Sequence, residues 1–187
     1  MSSYITSFTR DMVDNFSFSD HILKEFDSRD YEFIRSDILN VDLDLVVGTD
    51  HPDYEGKTWG ELIPIEGDKY HTLKRGERAL KQLQENPDYY LEDKNNSDWK
   101  FHLVNGEFYI CSTNHRVVTA KAFFEANHLP PIIKNAQVSF YRRKIDSDSI
   151  VNSLCDEQDT NSSITSYLKT TEFKVILALC VLAYFFF

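Results

Sequence analysis

Apolar positions along the chain follow two periods, and each period predicts its own kind of element. Ile22, Leu23 and Phe26 recur at helical spacing behind Ser19, a fair N-cap, and Phe33, Ile34 and Ile38 continue the pattern, so the first forty residues read as helical. Val41, Leu43, Leu45 and Val47 then alternate with Asp42, Asp44 and Val46, the period of a half-buried strand that Gly48 ends. A loop rich in Gly, Pro and Asp follows from Thr49 to Gly56. Trp59, Leu62 and Ile63 predict a brief helix stopped by Pro64, and Leu73, Leu80 and Leu83 mark an amphipathic helix over Thr72–Glu85, closed by Asn86-Pro87.

The sharpest local signal is a hairpin. Asn105-Gly106 suits a type I′ turn, whose two central residues both need positive φ. A two-residue loop pairs Val104 with Glu107 and, outward from there, His102 with Tyr109 and Phe101 with Ile110. Trp99, Phe101 and Leu103 then share a face with Phe108, Ile110 and Ser112, while Lys100, His102, Glu107, Tyr109 and Cys111 take the other. A slip of one residue would mix the two sets, so the register is well specified.

Directly after this hairpin, Ser112-Thr113-Asn114 offers three capping residues ahead of an apolar helix carrying Val117, Val118, Ala120, Phe123 and Phe124. Pro130-Pro131 stop it, and Ala136–Tyr141 alternates as a last strand. The expected fold is α+β: a small mixed sheet containing a β-hairpin and flanked by helices, spanning residues 1–145. Residues 146–159 carry five acidic side chains and no base, and 146–172 reads as an acidic linker rich in Ser, Asp and Asn. Residues 173–187 form an apolar tail. Its uncharged stretch, Val175–Phe187, makes about 20 Å of helix against a hydrocarbon core of about 30 Å. Three readings stay open for it: a peripheral membrane anchor, a helix packed on the domain, or a truncated end.

Composition narrows the function classes. A net charge of −10 over 187 residues argues against a protein that coats DNA indiscriminately. The excess of acid is uneven, however: Trp99–Ile145 holds seven basic residues against two acidic ones. Three cysteines, Cys111, Cys155 and Cys180, form no Cys-x-x-Cys pair, and the start MSSYITSFTRDMVDNF has no apolar run behind a basic end. A reducing, cytoplasmic setting follows, at the inner face of the membrane if the tail is an anchor.

The residues that carry chemistry are Ser112, Thr113, Asn114, His115 and Arg116. They sit where a strand meets a helix, and free N–H groups of a first helical turn attract an anion. Hydroxyls at Ser112 and Thr113 add donors, Arg116 brings a planar fork suited to phosphate oxygens, and His115 offers a proton carrier near neutral pH. The bland reading is a capped helix with a solvated Arg. Lys74, Arg75, Arg78 and Lys81 make a basic strip that reads first as a solvated helix face. Asp50, His51 and Asp53 read as turn chemistry rather than a metal loop, and His71 and His102 have no local partner.

The stretch from Val104 to Lys121 resembles the signature of the ParB/sulfiredoxin superfamily, in which a strand ends in a Gly-x-His-Arg or Gly-x-Arg-Arg turn and a helix with an early Ala follows. Pro130-Pro131-Ile132-Ile133 is similar to the short segment leading to the family's last strand. The resemblance implies a nucleotide-phosphate site at this turn, with ATP or another nucleoside triphosphate as ligand, Mg2+ as its companion, or a DNA phosphodiester as substrate. His115 and Arg116 would be catalytic in a small nuclease or NTPase. Sulfinic-acid reduction is not expected, because Asn114 stands where sulfiredoxins place their cysteine. The turn's usual glycine is replaced by Ser112 or Thr113, and no helix-turn-helix DNA reader follows. Single-domain members resembling the oncogenic-suppression type inhibit conjugative DNA transfer, which makes a conjugation or secretion coupling protein the expected partner. A non-catalytic nucleotide-binding or protein-interaction regulator at the membrane is the alternative.

Overall fold

Six strands form one mixed sheet in the order β1-β3-β5-β4-β6-β2. The computed structural model describes residues 4–68, 73–93 and 98–144, so the acidic linker, the apolar tail and His71 lie outside the described residues. The elements are α1 (Arg10–Asp14), β1 (Lys24–Glu25), β2 (Tyr31–Asp42), β3 (Val46–Thr49), α2 (Trp59–Leu62), α3 (Gly76–Glu85), β4 (Lys100–Val104), β5 (Glu107–Ile110), α4 (Asn114–Ala126) and β6 (Ile132–Arg143). β3 runs parallel to β1 and β5, β4 is antiparallel to β5 and parallel to β6, and β2 closes one edge antiparallel to β6. The expected α+β class with a mixed sheet holds.

The β4–β5 hairpin adopts the register read from its turn, with Val104 opposite Glu107, His102 opposite Tyr109 and Phe101 opposite Ile110. Asn105 and Gly106 both take positive φ, 51° and 85°, as a type I′ turn demands. Phe101, Phe108 and Ile110 face the main core with Ala136 and Val138 of β6. Against that face packs α4, whose Val117, Val118, Ala120, Ala122 and Phe123 are all fully buried. The other face carries a smaller aromatic cluster of Phe26, Val104 and Tyr109, flanked by Tyr31 and Tyr141.

Two expectations are corrected. The segment from Ile22 to Ile38 contains no α-helix, only a 3-10 turn at Ser28–Asp30: Tyr31–Asp42 is a twelve-residue edge strand, and Ser19 is a buried loop residue whose carbonyl accepts from Gly60 N–H. Phe33, Ile34 and Ile38 owe their helix-like spacing to chance, because all three stay exposed on a strand whose long partner, β6, supplies the ladder. The strand expected over Val41–Val47 is broken by a 3-10 turn at Leu43–Leu45, and β3 begins only at Val46. Gly48 lies inside β3 rather than ending it. A Cβ there would come within 2.2 Å of the Lys24 carbonyl oxygen and 2.7 Å of Tyr109, so only glycine lets β1 and the Tyr109 ring approach β3. The brief helix at Trp59 is α2, held by a full capping box between Thr58 and Glu61.

Candidate functional site: a basic cleft at the start of α4

The parallel neighbours β3 and β5 both end at the same edge of the sheet, and α4 starts there. Buried Thr49, at the end of β3, donates from Oγ1 to Asn114 Oδ1 at 2.8 Å and accepts from the His51 amide at 3.1 Å. Asn114 is therefore a tie between β3 and α4, 6% exposed, rather than an outward-facing donor. Ser112 and Thr113 are also held: Ser112 Oγ donates to the Asp98 carbonyl at 3.3 Å, and Thr113 Oγ1 lies 3.0 Å from that carbonyl and 2.7 Å from the Ser112 carbonyl. Thr113 sits in the left-handed region with φ 59°, so its side chain makes no cap bond to the helix.

A cleft of about 340 Å³ opens over this turn, lined by His51, Tyr54, Lys74, Arg75, Cys111 and the run Ser112–His115. Among the described residues, the amides of Ser112, Thr113, Asn114 and His115 make no hydrogen bond, as expected of a helix start. Lys74 is paired with Asp53, whereas Arg75 and Arg78 have no ion pair among the described residues. Burial, with the charges of Arg116, Arg75 and Arg78 adding to it, pushes the His115 imidazole down from 6.5 to about 4. The ring is therefore neutral at physiological pH, and its lone pair accepts a proton or a hydrogen bond.

Arg116 goes elsewhere. Its guanidinium pairs with the Asp98 carboxylate, approaches the Tyr89 hydroxyl at 3.3 Å and lies over the Tyr89 ring, 5.6 Å from its centre. It lines a separate cleft with Gln82, Glu85, Asn86 and Tyr89. The structure thus brings Ser112, Thr113, Asn114 and His115 together and sets Arg116 beside them, bracing the preceding loop. Arg75 takes the cationic position in the cleft. Sequence reading placed Arg75 on a solvated helix face, since nothing local signals that its chain segment returns to α4. Asp98, Tyr54 and Thr49 were missed for the same reason.

The loop reading of Asp50, His51 and Asp53 also changes. His51 Nδ1 accepts from the Asp53 amide at 3.2 Å and its ring stacks on Tyr54, consistent with turn chemistry. Asp50 instead reaches His102, whose partner is distant in the chain rather than local: His102 Nε2 lies 3.2 Å from Asp50 Oδ2. Burial, then the charge and hydrogen bond of Asp50, push the Cys111 thiol up to about 11.

Across the described residues no helix is long and apolar enough to cross a membrane. Compared with family models, with curated proteins and with solved structures, the chain matches none.

Proposed function

We propose that this protein binds a phosphate-bearing ligand, a nucleoside triphosphate or a nucleic-acid phosphate, in the cleft at the start of α4. One observation carries the reading: first-turn amides and an Arg75 that have no partner among the described residues, and a neutral His115, converge on a single space of about 340 Å³. That volume lies within the range usual for small-ligand pockets, roughly 300–1,000 Å³. Its position outside the carboxyl ends of the parallel strands β3 and β5 is where open α/β sheets place their ligands. The resemblance to the ParB/sulfiredoxin superfamily is supported at one further point. In the pattern Gly-x-His-Arg, Thr113 takes the place of the glycine before Asn114-His115-Arg116, and Thr113 has the positive φ that a glycine would favour.

In this reading the amides of α4 and Arg75 hold phosphate oxygens, and the neutral imidazole of His115 accepts the proton of an attacking water. Arg116 braces the loop through Asp98. No carboxylate lines the cleft among the described residues, so Mg2+ would enter on the phosphates.

Titration calorimetry of the full chain with ATP, CTP, inorganic pyrophosphate and a short single-stranded DNA tests the proposal. The expected result is binding of at least one, weakened about ten- to a hundredfold by Arg75→Ala, as loss of a charge-assisted contact predicts. His115→Ala should suppress hydrolysis more than binding. No binding by any of the four ligands, or affinities unchanged in Arg75→Ala, overturns it.

A further inference from the structure

We infer that Asp50, His102 and Cys111 form a binding site for one divalent metal ion of the zinc class, at the edge of an acidic cleft on the sheet face away from α4. One ligand atom from each residue lies within 4.8 Å of the other two. A carboxylate, an imidazole and a thiolate together suit zinc, which takes mixed oxygen, nitrogen and sulfur donors and leaves its fourth position open when the protein supplies three.

Asp50 and Cys111 directly follow the ends of β3 and β5, His102 is the middle residue of β4, and the backbone holds all three in place. The Asp50 amide donates to the Ile110 carbonyl at 3.0 Å, and the Cys111 amide donates to the Lys100 carbonyl at 3.0 Å. The His102 ring is clamped between Phe26, stacked at 4.5 Å between ring centres, and Tyr141, perpendicular at 4.9 Å. Ligands on a tetrahedral zinc ion with bonds of about 2.0–2.3 Å lie roughly 3.3–3.8 Å apart, so closure by about an ångström completes the site.

Burial fixes which nitrogen of His102 faces Asp50. His102 is 8% exposed, and its Nδ1 is buried with no hydrogen-bond partner among the described residues. In the tautomer with the proton on Nε2, that nitrogen donates to Asp50, and Nδ1 keeps a buried, unused lone pair. In the other tautomer, the Nε2 lone pair faces the Asp50 carboxylate, an arrangement that a cation between them makes favourable, while Nδ1–H stays a buried donor without a partner among the described residues. Charge around the site favours the same occupant. The adjoining cleft, about 530 Å³, is lined by Glu25, Asp27, Asp50 and Glu55 against a single guanidinium, Arg29, which is already paired with Asp27. On binding, Cys111 coordinates as the thiolate and its proton passes to solvent.

The test uses the tag-free full chain, stripped with chelator and titrated first with Zn2+ and then with Co2+. One equivalent of Zn2+ should bind, and Co2+ should give a thiolate-to-cobalt charge-transfer band in the near ultraviolet. Cys111→Ser should abolish that band, and Asp50→Asn and His102→Gln should each weaken Zn2+ by more than the roughly ten- to hundredfold typical of groups behind the ligands. If His102→Gln fails to fold, the charge-transfer band and Cys111→Ser, a near-isosteric change at a half-buried position, still decide. Absence of Zn2+ binding overturns the inference. So does binding that survives Cys111→Ser and Asp50→Asn, or that is lost only with His115→Ala.

Discussion

His115 illustrates how far surroundings reset a side chain. The unfolded chain protonates it near 6.5, the folded protein only near 4. Between these values the unfolded state binds the extra proton, so stability that is fully present above pH 6.5 is lost as pH falls through about 4. Thermal melting against pH should show this acid limb, and His115→Gln should flatten it. An NMR titration should place the ring well below 6, moving upward in the Arg75→Ala, Arg78→Ala double variant. Arg116 is expected to act on stability rather than affinity. Arg116→Ala removes the tie to Asp98 and the stacking on Tyr89, and should lower unfolding free energy by about 1–3 kcal/mol in urea melts while phosphate affinity changes little. Lys121 is the most buried cation among the described residues. Its Nζ donates to the Leu43 carbonyl at 2.6 Å and to Asp44 at 2.8 Å, and sits over the rings of Phe18 and Trp59. Lys121→Ala empties that volume and removes one of the two donors to the Leu43 carbonyl, which keeps the Val46 N–H, so a loss of about 2–4 kcal/mol by chemical denaturation is expected, most of it from the cavity.

At the scale of elements, the entry into α4 stores strain. Thr113 is β-branched and left-handed at φ 59°, where a side chain costs about 1–2 kcal/mol relative to glycine. Its hydroxyl offsets part of this through the carbonyls of Asp98 and Ser112. Thr113→Gly and Thr113→Ala both lose the hydroxyl, yet only alanine keeps the strain. The glycine variant should therefore be more stable than the alanine variant by about 1–2 kcal/mol, and equal stabilities would mean that the turn relaxes. The edge strand β2 shows the opposite lesson. Its ladder to β6 overrides a helix-like spacing of apolar residues, because ten paired residues outweigh a spacing that leaves Phe33, Ile34 and Ile38 exposed.

For the molecule as a whole, charge is separated rather than summed. A chain of net −10 gathers Lys74 and Arg75 around one cleft and Glu25, Asp27, Asp50 and Glu55 around another, and Cys111 lines both. Phosphate affinity should fall as salt rises, since the cations of the first cleft are exposed within a Debye length of about 8–10 Å. Binding measured from low to physiological salt checks this, and a flat dependence would assign the affinity to the buried amides alone. The sequence by itself determined the β4–β5 hairpin to the residue, α2 and its proline stop, the apolar helix after Ser112-Thr113-Asn114, and the α+β class. Each rests on contacts between near neighbours, which turn chemistry, capping and periodicity encode directly. Only the tertiary structure decided that β2 is a strand, that Arg75 rather than Arg116 enters the cleft, and that Asp50, His102 and Cys111 meet. Those outcomes depend on which strands become neighbours, and pairing between residues fifty or a hundred positions apart leaves no local period to read.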